Sequence, residues 1–194
     1  MKELKDMSLE ELWELFPIVL KEHNSDYAVW YEDEKRNLVG ILNDYKVCRV
    51  NHIGSTSVNG LIAKPIIDIL LELPNDYDID IIASILQSEG WIVMARNTLE
   101  NTLDLNKGYT PNGFAAKVFH LHIKPSGDWG ELYFRDYLKK YPNVARQYEK
   151  LKLQLKKQFK YNRDAYTDAK SDFIMNFTQK AREELAELYL PSNL

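Results

Sequence analysis

Two spacings of apolar positions divide the chain into predicted strands and helices. Apolar runs rich in β-branched side chains predict strands at 46–53, 66–73, 91–94 and 114–124. Apolar residues three or four apart, with polar residues between them, predict helices at 27–45, 79–89, 132–138, 142–159 and 162–188. The order of these elements predicts an α+β fold, in which a small mixed β-sheet is flanked by helices and the C-terminal part is helical.

The first 26 residues stand apart in this pattern. Ser8 and Glu11 have the spacing of a capping box, which predicts a helix start, and Pro17 predicts the end of that helix. We interpret residues 1–26 as an N-terminal helical arm that either covers the core or docks against a partner. Residues 27–190 are expected to form a single domain, in which the polar stretch 96–111 is a flexible loop or a hairpin.

Composition and charge limit the class of protein. The 194 residues are 45% hydrophobic and 28% charged, which is ordinary for a globular domain with one core. The net charge of −4 argues against a dedicated nucleic-acid binder. The single cysteine, Cys48, fits a reducing cytosol, and no apolar run approaches the roughly 18 residues that cross a bilayer. We therefore expect a cytoplasmic protein without a membrane partner.

The stretch Val50–Leu73 contains the densest set of candidate site residues. Gly54 interrupts a predicted strand. Free backbone N–H groups at the helix start that follows would hold an anion at low cost, together with the hydroxyls of Ser55, Thr56 and Ser57. In the next strand, Asp68 lies within an apolar run, where a carboxylate is costly unless it is paired or binds a cation. This order of residues predicts that a phosphate and a metal ion are brought together.

Further candidates lie in the second half of the chain. His120 and His122 are two apart on a predicted strand and therefore share a face. Such a pair suits metal ligands, a phosphate clamp, an acid–base pair or simply two half-exposed polar positions. Arg135 has a guanidinium fork that fits phosphate but fits pairing with Asp136 equally well. The lysines of the helix after Pro142 form either a solvated face or an electrostatic guide for a polyanion.

A resemblance to a known family rests on His52–Ile69, which reads H-I-G-S-T-S-V-N-G-L-I-A-K-P-I-I-D-I. This segment resembles the signature of the GrpB family, which is regarded as a branch of the nucleotidyltransferase superfamily. The superfamily pattern is Gly-Ser, a spacer, and then Asp-x-Asp/Glu on a strand. Gly54, Ser55 and Asp68 match the pattern, whereas Leu70 stands at the position of the second acid. The resemblance extends over residues 27–181 through the blocks F-R-D-Y-L and Y-T-D-A-K-S-D-F-I.

This resemblance implies a nucleotidyltransferase-like fold with a pocket for a nucleotide or another phosphorylated small molecule. The expected catalytic residues are Asp68, His120 and His122, with a histidine in place of the third acid. Asp68 and Glu72 are the expected ligands of a divalent cation, Mg²⁺ or Mn²⁺. The expected phosphate-binding residues are Gly54, Ser55, Thr56, Ser57, Lys64, Arg135, Tyr166 and Lys170.

Two alternatives for the activity stay open, as does the oligomeric state. The first is metal-dependent transfer of a nucleotidyl group, which uses two or three converging carboxylates. Glu72 lies roughly 13 Å beyond Asp68 on the same strand, so the two share one ion only if the strand bends. The second is a non-catalytic nucleotide-binding accessory protein with a degenerate active site. The resemblance adds a coenzyme A-related ligand to this alternative, because a GrpB-like domain also occurs fused to dephospho-coenzyme A kinase.

Overall fold

A computed structural model describes residues 2–191 of the chain. Within them the strands are β1 (Arg49–Ile53), β2 (Ile67–Leu73), β3 (Ile92–Asn97), β4 (Thr102–Thr110) and β5 (Gly113–Pro125). The α-helices are α1 (Leu9–Leu15), α2 (Asp26–Ile41), α3 (Ile79–Ser88), α4 (Gly130–Lys140), α5 (Pro142–Gln158), α6 (Arg163–Asp168) and α7 (Ser171–Glu184). The short 3₁₀ turns are Leu4–Asp6 and Ser55–Ser57.

The five strands form one mixed sheet in the order β1-β2-β5-β4-β3. Strands β2 and β5 are parallel, and the other neighbouring pairs are antiparallel. The predicted α+β fold with a mixed sheet and a helical C-terminal part is therefore confirmed. Most of the polar stretch 96–111 lies in the β3–β4 hairpin, which is the second of the two alternatives predicted for it.

One face of the sheet carries the main hydrophobic core. Alternate residues of β2, from Ile67 to Leu73, point to this face because the side chains of a strand alternate between its two sides. They pack against α2 and α3 in a cluster with the fully buried side chains of Leu38, Leu42, Ile82 and Leu86. The intervening residues Asp68, Leu70 and Glu72 therefore point to the opposite face.

The opposite face of the sheet is polar and only partly covered. The register places Asp68 beside His120 on β5, and His122 beside Asp104 on β4, so these side chains share this face. Helix α4 packs against its β1 edge, and α5 and α7 join α4 through a second apolar cluster. The side chain of His122 is 31% exposed. The β4–β5 part of the polar face is thus accessible to solvent.

The N-terminal arm contacts the domain through the residues that follow α1. The predicted capping box at the start of α1 is confirmed, but no residue of that helix is buried. Phe16 packs edge-on against the ring of Tyr109, and Ile18 is 1% exposed. Lys21 and Ala63 form an antiparallel bridge through their backbones. The domain boundary at residue 26 stays a prediction, although the segment before it packs onto the domain.

Glu72 is fully buried and forms an ion pair with Arg49 on the neighbouring strand. The guanidinium donates a hydrogen bond of 2.7 Å to each carboxylate oxygen, and the backbone N–H of Gly127 donates another of 3.1 Å. These three bonds satisfy the buried charge and join β1 to β2. Because its oxygens already have these partners, we leave Glu72 out of the metal site that was expected from the sequence.

Replacement of Arg49 by Met should strongly destabilise the protein, because it leaves the charge of Glu72 buried without a partner. Breaking a buried pair in this way costs about 3–5 kcal/mol of unfolding free energy. Urea denaturation measures the loss, and the double variant Arg49→Met/Glu72→Leu should recover most of it. The matched control is Arg36→Met, which removes a side chain that is 77% exposed. An Arg49→Met variant as stable as the wild type would contradict this role.

Candidate functional site

The turn Ser55–Ser57 lies directly against the carboxylate of Asp68. Gly54 precedes the turn with a φ of +68°, a backbone conformation that glycine adopts at low cost. A Cβ atom at this position would lie 2.2 Å from Oδ2 of Asp68. Glycine is therefore required both by the backbone conformation and by the close approach of the carboxylate.

A chain of hydrogen bonds leads from Asp68 across the sheet to helix α6. Nδ1 of His120 lies 3.1 Å from Oδ1 of Asp68, and Nε2 of the same ring lies 2.8 Å from the hydroxyl of Tyr109. Arg163 donates a hydrogen bond of 2.8 Å to that hydroxyl. An ionised carboxylate can only accept, so Nδ1 donates to it and Nε2 accepts from the tyrosine, which assigns the tautomer of His120. Both ring nitrogens of His120 are thus engaged.

Electrostatics favour an ionised Asp68 beside a neutral His120. Burial acts to raise the pKa of Asp68, but the hydrogen bond from His120 and the positive charge of Lys64 help to outweigh it and lower the pKa overall. Burial lowers the pKa of His120, and the carboxylate offsets this effect only in part. At neutral pH the pair therefore carries one negative charge beside the turn.

Three lysines from separate parts of the chain lie close enough for their charges to act on one another, and one of them contacts the turn. Nζ of Lys152 donates hydrogen bonds to Oγ of Ser55, at 3.0 Å, and to the carbonyl oxygen of Ile62. The Nζ atoms of Lys64 and Lys170 lie 5.8 Å and 4.4 Å from the ring centroid of Tyr166. Lys152 and Lys170 are 3% and 9% exposed. The lysine cluster is hereafter the set Lys64, Lys152 and Lys170.

The lysine cluster is short of negative charge. None of its ammonium groups belongs to an ion pair within residues 2–191. Burial, together with the charges of Lys170 and Arg163, lowers the pKa of Lys64 to about 7. Burial lowers the pKa of Lys152 to about 7, with a contribution from Lys170, and that of Lys170 to about 8. Asp68 opposes these shifts at all three positions without cancelling them.

The three hydroxyls of the turn have different partners. Thr56 is buried, and its hydroxyl donates a hydrogen bond of 3.0 Å to the carbonyl oxygen of Ile66. The hydroxyl of Ser57 donates one of 2.6 Å to the carbonyl oxygen of Gly54. These two bonds brace the turn, whereas Ser55 contacts the lysine cluster. Among the predicted phosphate-binding hydroxyls, that of Ser55 is therefore placed best for a ligand.

Arg135 is engaged on the other side of the turn. Its guanidinium pairs with Asp136 at 2.7 Å and donates further hydrogen bonds to Asn51, to the carbonyl oxygen of His52 and to the hydroxyl of Tyr189. Of the two alternatives that the sequence left open for Arg135, phosphate binding and pairing with Asp136, the structure shows the pairing. Because these donors already have partners, we leave Arg135 out of the phosphate site proposed below.

His122 forms a second pair with a carboxylate, separate from that of His120. Its Nδ1 lies 2.7 Å from Oδ1 of Asp104 on β4. Burial acts to lower the pKa of His122, but the hydrogen bond and the negative charges of Asp68 and Asp104 help to raise it overall. Asp104 is not among the predicted site residues. The alternation of polar and apolar residues in T-L-D-L-N is the sequence signal that places it on the polar face.

The donor groups do not fit the divalent cation that the resemblance implies. Two-metal phosphoryl transfer uses two or three converging carboxylates. Here Leu70, which is fully buried, stands at the position of the second acid, and Glu72 is bound to Arg49. Oδ1 of Asp68 is bonded to His120. Within residues 2–191, no group of three or more His, Cys, Asp or Glu side chains is placed to hold a metal ion.

Three residues of this pocket are absent from the predicted site, namely Tyr109, Lys152 and Arg163. The sequence does indicate that Lys152 is buried, because it follows Tyr148 by four residues and precedes Leu155 by three, and both of these are buried. This spacing places a lysine on the apolar stripe of its helix. Tyr109 and Arg163 lie far apart in the chain and meet through a side-chain hydrogen bond, which no local pattern reveals.

The stability of the free protein should rise as the pH increases from about 7 to about 9.5. Lysines in the cluster titrate well below the ordinary value of 10.5, so the unfolded chain binds more protons in this window. Thermal denaturation in buffers without phosphate or sulfate measures the rise. The Lys152→Met variant should show a smaller rise, and the control Lys157→Met, which changes an exposed lysine of the same helix, should match the wild type. A wild-type stability that stays flat or falls would refute the assigned pKa values.

Comparison with known proteins gives the family of the chain. The family model described as GrpB protein matches residues 17–180. UPF0157 protein YqkA of Bacillus subtilis is 28% identical over 163 residues, which cover 82% of this chain and 46% of YqkA. The chain thus spans about half the length of this curated relative.

Solved structures agree with the predicted fold. GrpB from Enterococcus faecalis superposes with a TM-score of 0.74 at 30% identity, covering 87% of this chain and 100% of the other. The Cid1 poly(U) polymerase with bound Mg 3′-dATP has a TM-score of 0.51 at 10% identity, covering 83% of this chain and 51% of Cid1, a likeness of fold alone. No helix within residues 2–191 has the length and apolar character needed to cross a membrane. The predicted nucleotidyltransferase-like fold is confirmed, and the chain belongs to the GrpB family.

Proposed function

We propose that this chain binds the phosphate group of a nucleotide, or of another phosphorylated small molecule, at the lysine cluster. The observation that carries the proposal is the convergence of Lys64, Lys152 and Lys170 around Ser55 and Tyr166 without an ion-pair partner among the described residues. Like charges held together away from water are costly unless they are compensated. Asp68 and, at Lys152, Glu149 supply part of the compensating negative charge, and a bound phosphate would supply the rest.

The pocket offers a phosphate several hydrogen-bond donors. Lys152 and Ser55 already contact each other at 3.0 Å, so both can reach the same oxygen or neighbouring oxygens of a ligand. The hydroxyl of Tyr166 is buried and has no hydrogen-bond partner within the described part of the chain. A phosphate oxygen or a bridging water would satisfy it. Hydrogen bonds from ammonium groups to phosphate are among the strongest that proteins form.

Asp68 has a positioning role in this proposal. Its carboxylate packs against Gly54 and accepts a hydrogen bond from His120, so it fixes the turn relative to β2 and β5. Its charge also favours the protonated forms of all three lysines. Direct catalytic roles for Asp68, His120 and His122 stay predictions.

The proposed binding needs no divalent cation. In the Cid1 poly(U) polymerase, which shares the fold, 3′-dATP is bound together with Mg. In this chain the charge of Asp68 acts on all three cluster lysines and that of Glu149 acts on Lys152, and the ammonium groups supply the positive charge that phosphate requires. Lysine binds phosphate as a point charge without the geometric demands of a metal. This donor set favours a binding function over metal-dependent nucleotidyl transfer.

Replacement of Lys152 by Met should weaken the binding of AMP, ADP and ATP by about tenfold or more, because a charge-assisted hydrogen bond is lost. Isothermal titration calorimetry at pH 7 in the presence of EDTA measures the affinities. Ser55→Ala should weaken binding in the same direction without changing the charge of the pocket. Lys157→Met, in the exposed part of the same helix, is the matched control.

Two results would count against the proposal. Wild-type affinity in a correctly folded Lys152→Met variant would exclude the lysine cluster as the phosphate site. Nucleotide binding that requires added Mg²⁺ or Mn²⁺ would indicate a metal ion at the site and would favour the transferase alternative.

A further inference from the structure

A cavity of about 510 Å³ lies between the N-terminal half of α5, the end of α4 and the loop that follows Ser55–Ser57. This volume is in the usual range of small-molecule sites. Its apolar lining includes Val58, Leu61 and Leu138, which belong to the buried cluster that joins α4 to α5. A ligand in the cavity would therefore place an apolar body against these side chains.

The charged lining of this cavity consists of two cationic side chains and one carboxylate. Lys139 and Arg146 line it, and neither belongs to an ion pair within residues 2–191. Glu149 also lines it, but its carboxylate accepts a hydrogen bond of 3.2 Å from the backbone N–H of Ile62. Burial and the charge of Arg135 lower the pKa of Lys139, and the charge of Asp136 opposes this shift. With two cations and one carboxylate, the charged side chains that line the cavity sum to one positive charge.

The cavity is distinct from the lysine cluster, although both use helix α5. Arg146, Glu149 and Lys152 follow one another at intervals of three residues on one side of the helix, spanning about 9 Å. Between the cavity and the lysine cluster, the loop that follows Ser55–Ser57 contacts helix α5 through Ile62. This residue donates its N–H to Glu149 and accepts a hydrogen bond from Lys152 through its carbonyl oxygen.

We infer that this cavity is a second anion site, which takes a small organic anion with an apolar body and one phosphate or carboxylate group. The apolar body packs against Val58, Leu61 and Leu138, and the anionic group pairs with Lys139 and Arg146. The inference is independent of phosphate binding at the lysine cluster, because none of the three cluster residues lines this cavity.

Backbone amide NMR of the full chain, titrated with hexyl phosphate, hexanoate and hexanol, tests the inference. At least one of the two anions should shift the amide signals of Asn59 and Gly60 in a saturable manner, and hexanol should bind there at least about tenfold more weakly. The relative affinities of the two anions decide whether the site prefers phosphate or carboxylate. The signal of Ser55 reports on the lysine cluster separately.

The double variant Lys139→Met/Arg146→Met should weaken anion binding at Asn59 and Gly60 by about tenfold or more. The control Lys150→Met/Lys157→Met removes two exposed lysines of α5 and should leave it unchanged. Equal affinities for hexanol and the anions, an unaffected double variant, or no saturable shift at Asn59 and Gly60 would each overturn the second anion site. A missing shift at Ser55 alone would instead count against the proposed function.

Discussion

The candidate site depends on one carboxylate that is held near the start of strand β2. Asp68 stands between the fully buried Ile67 and Ile69, and its ionised form is maintained by the hydrogen bond from His120 and by nearby cations. Its close contact with Gly54 fixes the turn that presents Ser55. Asp68 at the start of β2 thus positions a site in which three lysines outnumber the two carboxylates whose charges act on them, Asp68 and Glu149. This imbalance is the physical reason to expect an anionic ligand.

Most of the fold could be predicted because its elements depend on local patterns. The capping box before α1 and the β-branched run of β2 each involve residues close together in the chain, and both are present. The stretch 96–111 left a loop and a hairpin open because its residues are mostly polar, although the pairings of β4 with β3 and with β5 both join strands that are consecutive in the chain. The order of strands in the sheet, by contrast, depends on the parallel pairing of β2 with β5, which joins residues far apart in sequence.

The site was predictable only where its residues are neighbours in the chain or in the sheet. The turn and Asp68 lie in one short segment, whereas Lys152 and Arg163 reach the pocket from helices far along the chain. Arg135 and Glu72 are charged residues of the kind that bind ligands, yet tertiary packing provides each with a partner of its own. Sequence pattern identifies such charges but not their pairing, so it does not reveal that Glu72 and Arg135 have partners or that Lys152 is buried beside Ser55.

The titration of the lysine side chains tests the central claim most directly. Heteronuclear NMR of the lysine ε-positions gives a midpoint for each ammonium group, with assignments from the variants Lys64→Met, Lys152→Met and Lys170→Met. The account predicts three lysines that titrate at about 7 to 8 in the free protein and move toward 10.5 when AMP is added, because a bound phosphate favours the charged form. Three lysines that titrate near 10.5 without a ligand, or that do not respond to AMP, would contradict it.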